Sequence, residues 1–137
     1  VKVPNYMLIE RYSHVMHIVS QVKGTIAKEK NAYDLMRATF PAGTLSGAPK
    51  HKAMELINKY ENSERSFYGG SIGFMDFDGN FNHAIIIRSF LSKNNFLHFQ
   101  AGAGVVSKSK PESELQEVYN KLKALNKAME NAEKYYK

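Results

Sequence analysis

The sequence predicts an α+β fold in which a mostly antiparallel sheet packs against helices. Residues 7–26 and 68–104 form extended runs rich in β-branched and aromatic side chains. Tight-turn pairs interrupt the second run, and the C-terminal stretch has the apolar spacing of a helix. Strands and helices that occupy separate parts of the chain are typical of this class.

The first predicted strand covers residues 7–26, and its alternation is clearest from Val15 onward. Val15, His17 and Val19 lie on one face of such a strand, because side chains two residues apart point the same way. A histidine on an apolar face is more often part of a hydrogen-bonded core than of a catalytic site.

Two helices are predicted in the next stretch. Asn31 is expected to cap a short helix that Pro41 ends. A second helix is predicted over residues 48–60, with Ser46 as its N-cap. The small-residue loop "AGTLSGAP" lies between the two helices.

Residues 68–104 are predicted to form an antiparallel meander of three extended runs. The dipeptides Asp78-Gly79 and Asn94-Asn95 separate the runs, and both favour tight turns.

A long helix is predicted to follow, to about residue 135. Ser109 and Glu112 fit a capping box around Pro111. The inward face of this helix is predicted to consist of Leu115, Val118, Leu122, Leu125, Met129 and Ala132.

Composition narrows the class of protein. The chain has 137 residues, of which 43% are hydrophobic, so it is long enough for one domain with a core. Cysteine is absent, which excludes disulfides and thiolate metal sites and suits a reducing cytoplasm. No apolar run reaches the roughly 20 residues of a membrane span. We therefore expect a cytoplasmic protein without membrane contact.

The formal charge of +6 favours anionic partners, so a small basic nucleic-acid-binding module is one functional hypothesis. The lysines are scattered, however, which favours a solvated surface and no nucleic-acid partner. A steep salt dependence of oligonucleotide binding would identify a nucleic-acid reader.

Two glycine-containing loops are candidate ligand sites. "AGTLSGAP" precedes a helix, so its backbone N–H groups suit a carboxylate or phosphate, but the residues alone favour an ordinary capped turn. "QAGAG", residues 100–104, lets a ligand or another backbone approach closely, and both readings stay open.

Charged residues at three further places are candidates. Arg88 lies in the apolar run "AIIIRSF", where we expect an anionic ligand or a buried carboxylate beside it. Glu114, Glu117 and Lys121 form a polar stripe on the last helix. Paired carboxylates suit Mg²⁺, although surface charge patterning is the alternative.

Taken together, five segments resemble the chorismate-utilising enzymes. They are "ERYSHVMHIVS", "PAGTLSGAPKHKAMELI", "YGGSIGF", "IIIRS" and "QAGAGVVSKSKPESELQEVYNK". The resemblance runs from Glu10 to about Ala128 and is greatest to the anthranilate-forming branch of the family.

The resemblance implies that residues 1–137 are the C-terminal portion of a chorismate-binding domain. The opening residue is Val1 rather than Met, and we expect a regulatory domain and the first half of the catalytic domain to lie upstream. Such a fragment is expected to be inactive alone and to self-associate.

The resemblance also implies roles for single residues. His17 becomes an active-site residue beside the substrate. Glu117 is implied as a direct Mg²⁺ ligand and Glu114 as a ligand through water. The residues implied to bind substrate are Thr44, Gly47, Tyr68, Arg88, Gly102, Gly104 and Lys121.

The implied activity is that of a Mg²⁺-dependent lyase in tryptophan biosynthesis. It converts chorismate and ammonia to anthranilate and pyruvate, with ammonia supplied by a glutamine amidotransferase subunit. The alternative within the family is the synthesis of aminodeoxychorismate for folate, or another chorismate-utilising reaction. The residue that distinguishes the folate branch would lie outside this chain.

Overall fold

The structure is a computed structural model that describes residues 1–11 and 16–135. Contacts divide the chain into two compact units, Val1–Ala38 and Thr39–Lys137. Every strand pair in the described residues is antiparallel, and helices accompany the hairpins. The predicted α+β class is confirmed.

The first unit contains a hairpin rather than one long strand. β1 (Lys2–Arg11) pairs with β2 (Met16–Lys23), and Glu10 lies opposite His17 in the ladder. The predicted alternation holds in β2, where His17 and Val19 are half-buried and their neighbours are exposed. The predicted position of Val15 lies outside the described residues.

The short helix α1 (Ala32–Thr39) begins where its cap was predicted. The Asp34 backbone N–H donates to Asn31 Oδ1 at 3.0 Å, and the Asn31 N–H donates back to the Asp34 carboxylate at 3.2 Å. This reciprocal pair satisfies two helix-end donors and fixes the start of the helix.

The second unit opens with a short helix, α2 (Gly43–Ser46), followed by α3 (Lys50–Tyr60). The predicted cap of α3 is wrong. Pro49 occupies the N-cap position, and the Ser46 hydroxyl donates instead to the Ala42 carbonyl at 3.0 Å, within the α2 turn.

Two separate hairpins replace the predicted continuous meander. β3 (Ser71–Met75) pairs with β4 (Phe81–Ile85), and β5 (Leu91–Lys93) pairs with β6 (Phe96–His98). No ladder among the described residues joins β4 to β5. Both predicted turns are present, and the two asparagines between β5 and β6 have the positive φ angles of 53° and 62° that such turns require.

The long helix α4 spans Pro111–Lys134, as predicted, but it lacks the predicted capping box. Lys110 is the N-cap, and the Ser109 hydroxyl accepts the Val106 N–H at 3.0 Å. Leu125 is buried on its inner face, whereas Leu115 is 52% exposed. The apolar stripe therefore starts later on the helix than the spacing predicted.

Much apolar surface is uncovered. Among the described hydrophobic residues only Leu125 is buried, while Ile72 and Phe74, on one face of β3, are 67% and 69% exposed. A core made by these residues alone is therefore small.

Candidate functional site

The polar stripe of α4 faces the glycine-rich segment that precedes the helix. The Lys121 ammonium donates to the Gly102 carbonyl at 2.8 Å and forms an ion pair with the Glu117 carboxylate at 2.5 Å. Lys121 and Glu117 are one helical turn apart, so one side chain can reach both the carboxylate and the loop. The structure thus joins three of the predicted site residues.

Tyr68 extends this cluster from another part of the chain. A Cβ placed on Gly102 would lie 3.5 Å from the Tyr68 hydroxyl. At Gly104 such an atom would meet no heavy atom of the described chain within 4 Å. The Tyr68 hydroxyl and the Lys121 ammonium therefore both approach the backbone at Gly102, and the backbone at Gly104 is uncovered by the described chain.

The loop containing Thr44 and Gly47 is held by backbone geometry. Thr44 is exposed within α2, and Gly47 ends this helix with a φ of 110°, which glycine adopts without strain. A Cβ on Gly47 would also come to 3.0 Å from the Ala53 methyl group of α3. Glycine is required here for conformation and for close packing.

Arg65 connects this loop to Tyr68 and was not singled out from the sequence. One of its guanidinium nitrogens donates to the Leu45 carbonyl at 2.6 Å, while two others donate to the Glu61 carboxylate at 2.5 and 2.8 Å. The guanidinium carbon lies 5.7 Å from the centre of the Tyr68 ring. The Glu–Arg spacing of four residues was a visible signal, but it is common on any charged surface.

The same tyrosine loop is tied to the end of β4. The Gly69 N–H donates to the Ile86 carbonyl and the Ile86 N–H donates to the Gly70 carbonyl, both at 2.9 Å. Arg88 follows Ile86 by two residues. The contacts therefore run without a break from the Thr44 loop, through Arg65 and Tyr68, to the segment that carries Arg88.

The predicted placement of Arg88 inside a buried strand is wrong. β4 ends at Ile85, and Arg88 lies on an exposed bend with a φ of +52° rather than inside a buried strand. A positive φ is rare for a residue with a Cβ and costs free energy, and such residues cluster at ligand sites. An exposed guanidinium held in a strained bend is compatible with the predicted role in binding an anion.

His17 belongs to the first unit, half-buried on β2. Its predicted role beside the substrate stays a prediction.

Two carboxylates can contribute to a metal site. Glu114 is half-buried and Glu117 is exposed, three residues apart on α4. No group of three or more His, Cys, Asp or Glu side chains within residues 1–11 and 16–135 could hold a metal ion. One or two carboxylates with water and substrate oxygens are the usual protein contribution to a Mg²⁺ site, so this pair fits that ion.

A cavity lies next to α3 and is bordered by Tyr68. It has a volume of about 470 Å³ and is lined by residues of α2 and α3 and by the Arg65–Tyr68 loop. The Glu61–Arg65 pair lies at its wall. The hydrogen bonds to Arg65 hold the pKa of Glu61 below its ordinary value of 4.5, and Glu61 in turn raises the pKa of Arg65. Both groups are therefore charged at neutral pH.

Comparison with known proteins relates this chain to one enzyme family. Residues 1–127 match the family described as chorismate binding enzyme. The chain is 53% identical over 133 residues to anthranilate synthase component 1 of Aquifex aeolicus, covering 97% of this chain and 27% of that protein. It spans about a quarter of the length of the curated relatives that it matches.

Solved structures give the same relationship. The crystal structure of anthranilate synthase component I from Streptococcus pneumoniae superposes with a TM-score of 0.83 at 44% identity, covering 88% of this chain and 28% of that one. A Bacillus anthracis protein assigned as a 2,3-dihydroxybenzoate-specific isochorismate synthase superposes with a TM-score of 0.79 at 34% identity, covering 91% and 35%. Among the residues that the structure describes, no helix combines the length and apolarity needed to cross a membrane.

Proposed function

Because the chain belongs to the family of chorismate-binding enzymes, we propose that it supplies part of the chorismate site of an anthranilate synthase component 1. The observation that carries this proposal is the cluster of Tyr68, Gly102 and Lys121, in which a phenol and an ammonium border glycine backbone. Chorismate is a small dicarboxylate, and such a group of donors suits one of its carboxylates.

The residues of this chain bind and orient the substrate. Lys121 and Arg88 provide positive charge, Tyr68 provides a hydroxyl, and Gly104 leaves space beside the backbone. In the proposed reaction ammonia adds to the ring as the 4-hydroxyl leaves, and elimination of pyruvate then gives anthranilate. Fixed donors around a dianion lower the activation free energy of this reaction, because they need no reorganisation as charge develops in the transition state.

Mg²⁺ is the proposed cofactor, with Glu117 as a direct ligand and Glu114 acting through water. The ion would neutralise and orient a substrate carboxylate, which is the usual contribution of Mg²⁺ to such a site. The support is the pair of carboxylates on α4, since two such groups match the number that protein sites usually give to Mg²⁺.

We further propose that a glutamine amidotransferase subunit delivers the ammonia and that the complete enzyme acts in tryptophan biosynthesis in the cytoplasm. The support is the similarity to proteins named anthranilate synthase component 1. Formation of aminodeoxychorismate or isochorismate is the alternative, since a structure assigned to an isochorismate synthase also superposes closely.

The proposal is tested by following anthranilate fluorescence. The complete enzyme that carries this chain should form anthranilate from chorismate, ammonium and Mg²⁺. The purified 137-residue chain should not, because its described residues hold only part of a metal site. Turnover by the chain alone, in material free of host enzyme, would contradict the proposal that this chain holds only part of the active site. A product other than anthranilate from the complete enzyme would favour one of the alternative reactions.

Self-association of the purified chain is expected from its uncovered apolar surface. Many large hydrophobic side chains of the described residues are exposed, Ile72 and Phe74 among them, and contiguous exposed apolar patches are typical of surfaces that associate. Sedimentation should show dimers or larger species that dissociate on dilution, and a hydrophobic dye should bind. Phe74→Ser should weaken both signals, because Phe74 is exposed on the open face of β3. A strictly monomeric chain at high concentration would contradict this expectation.

A further inference from the structure

The Arg65 side chain contacts three separate parts of the second unit. It forms a two-pronged ion pair with Glu61, just after the end of α3, donates to the Leu45 carbonyl in α2, and lies over the Tyr68 ring. Its planar guanidinium can make these contacts together because its donors point in fixed directions.

The contact with Leu45 stabilises α2, a four-residue helix too short for its own hydrogen bonds to satisfy most of its carbonyl groups. The Arg65 hydrogen bond to Leu45 occupies one of them from a position 20 residues away. Thr44, the neighbour of Leu45, is thereby held by a residue outside its own loop.

The contact with Tyr68 limits the movement of the ring that borders the proposed substrate site. The Tyr68 N–H also donates to the Arg65 carbonyl at 2.9 Å, so backbone and side chain of Arg65 hold the same residue. A Cβ on the next residue, Gly69, would lie 3.5 Å from the Leu45 side chain. The two segments that Arg65 joins are therefore already packed together.

We propose that Arg65, oriented by Glu61, is a positioning residue that sets the Thr44 loop and the Tyr68 side chain relative to each other for substrate binding. This inference rests on the proposed function. Arg65 itself borders the cavity on the α3 side, and it acts through Tyr68 and the Leu45 carbonyl rather than by touching the substrate.

The first test is Arg65→Lys in the complete enzyme. Lysine keeps the charge but cannot form the two-pronged pair with Glu61 and also bond Leu45 and stack on the ring. We expect KM for chorismate to rise about ten-fold, with kcat changed less than about two-fold. The reason is that misplaced Tyr68 and Thr44 would weaken binding of the substrate and of the transition state by similar amounts. Lys52→Met, which breaks an exposed ion pair with Glu55 on α3, is the matched control and should leave both constants unchanged.

A double-mutant cycle separates positioning from general destabilisation. If Arg65 acts in part through the Tyr68 hydroxyl, Arg65→Lys should raise KM by clearly less in a Tyr68→Phe background than in the wild type, because only the contribution through the Leu45 carbonyl is left. Full additivity of the two substitutions, or a lower melting temperature with unchanged KM, would show a purely structural role and overturn the inference.

Hydrogen exchange on the complete protein that carries this chain tests the coupling without any measurement of activity. Arg65→Lys should speed exchange of the backbone N–H groups in both residues 45–47 and residues 68–70, whereas Lys52→Met should not. Faster exchange in neither or only one of these segments would overturn the inference. If the complete wild-type enzyme does not use chorismate, the proposed function fails, and the exchange result alone decides whether Arg65 couples the two segments.

Discussion

Glu117→Gln should lower the apparent Mg²⁺ affinity of the complete enzyme by about a hundred-fold or more. Removing a residue that only hydrogen-bonds to a metal ligand already lowers metal affinity by about 10–100-fold, and a direct ligand should contribute at least as much. Glutamine keeps the shape of the side chain but removes the charge that a hard cation requires. Glu117 is exposed on α4, so thermal stability should change by only about 0.5 kcal/mol. Two measurements check this prediction: the Mg²⁺ dependence of turnover and the thermal unfolding of the same variant.

Two neighbouring substitutions serve as controls. Glu114→Gln should have a smaller effect, about ten-fold, because it acts through water. Lys121→Met should raise KM for chorismate and should raise Mg²⁺ affinity about two- to five-fold, since the ammonium that pairs with Glu117 competes with the metal for its charge. Wild-type Mg²⁺ curves for all three variants would instead identify the stripe as ordinary surface charge.

Arg88→Ala should raise KM for chorismate about ten- to a thousand-fold, if the guanidinium binds a substrate carboxylate with roughly 1.5–4 kcal/mol. Folding should suffer less, because Arg88 is exposed on its bend. Steady-state kinetics and thermal unfolding of the same variant separate the two effects. Unchanged activity with a collapse in stability would show a structural ion pair instead.

Arg88→Gly is the matched variant that isolates the backbone strain. Both replacements remove the guanidinium, but only glycine adopts a φ of +52° freely. The glycine variant should be more stable than the alanine variant by about 1 kcal/mol, with the same loss of substrate binding. Equal melting temperatures would mean that the bend stores no strain.

Much of the local structure follows from the sequence because its causes lie a few residues apart. Asn31 caps α1 through a residue three positions away, and Asn94-Asn95 makes its turn by the conformations of the pair itself. The long apolar spacing that ends the chain likewise predicted α4. These local features were enough to predict the α+β class, which the structure then confirmed.

The cap predictions failed where a hydroxyl had a competing partner. Ser46 bonds a carbonyl of the preceding turn and Ser109 bonds the N–H of Val106, so neither is available to a helix N-terminus. Serine hydroxyls choose between several backbone partners of similar energy. Spacing alone could not decide among them.

The sequence by itself determined the family and most of the candidate site residues, because five motifs in order carry both. Only the tertiary structure showed that Lys121 reaches Gly102 across 19 residues, and only it brought in Arg65, which reaches Leu45 across 20. The tertiary structure also shows that Arg88 lies on an exposed, strained bend and not in the buried strand that the sequence predicted. The physical reason is range, since capping and turn preferences act between near neighbours, whereas these contacts exist only once the chain has brought distant segments together.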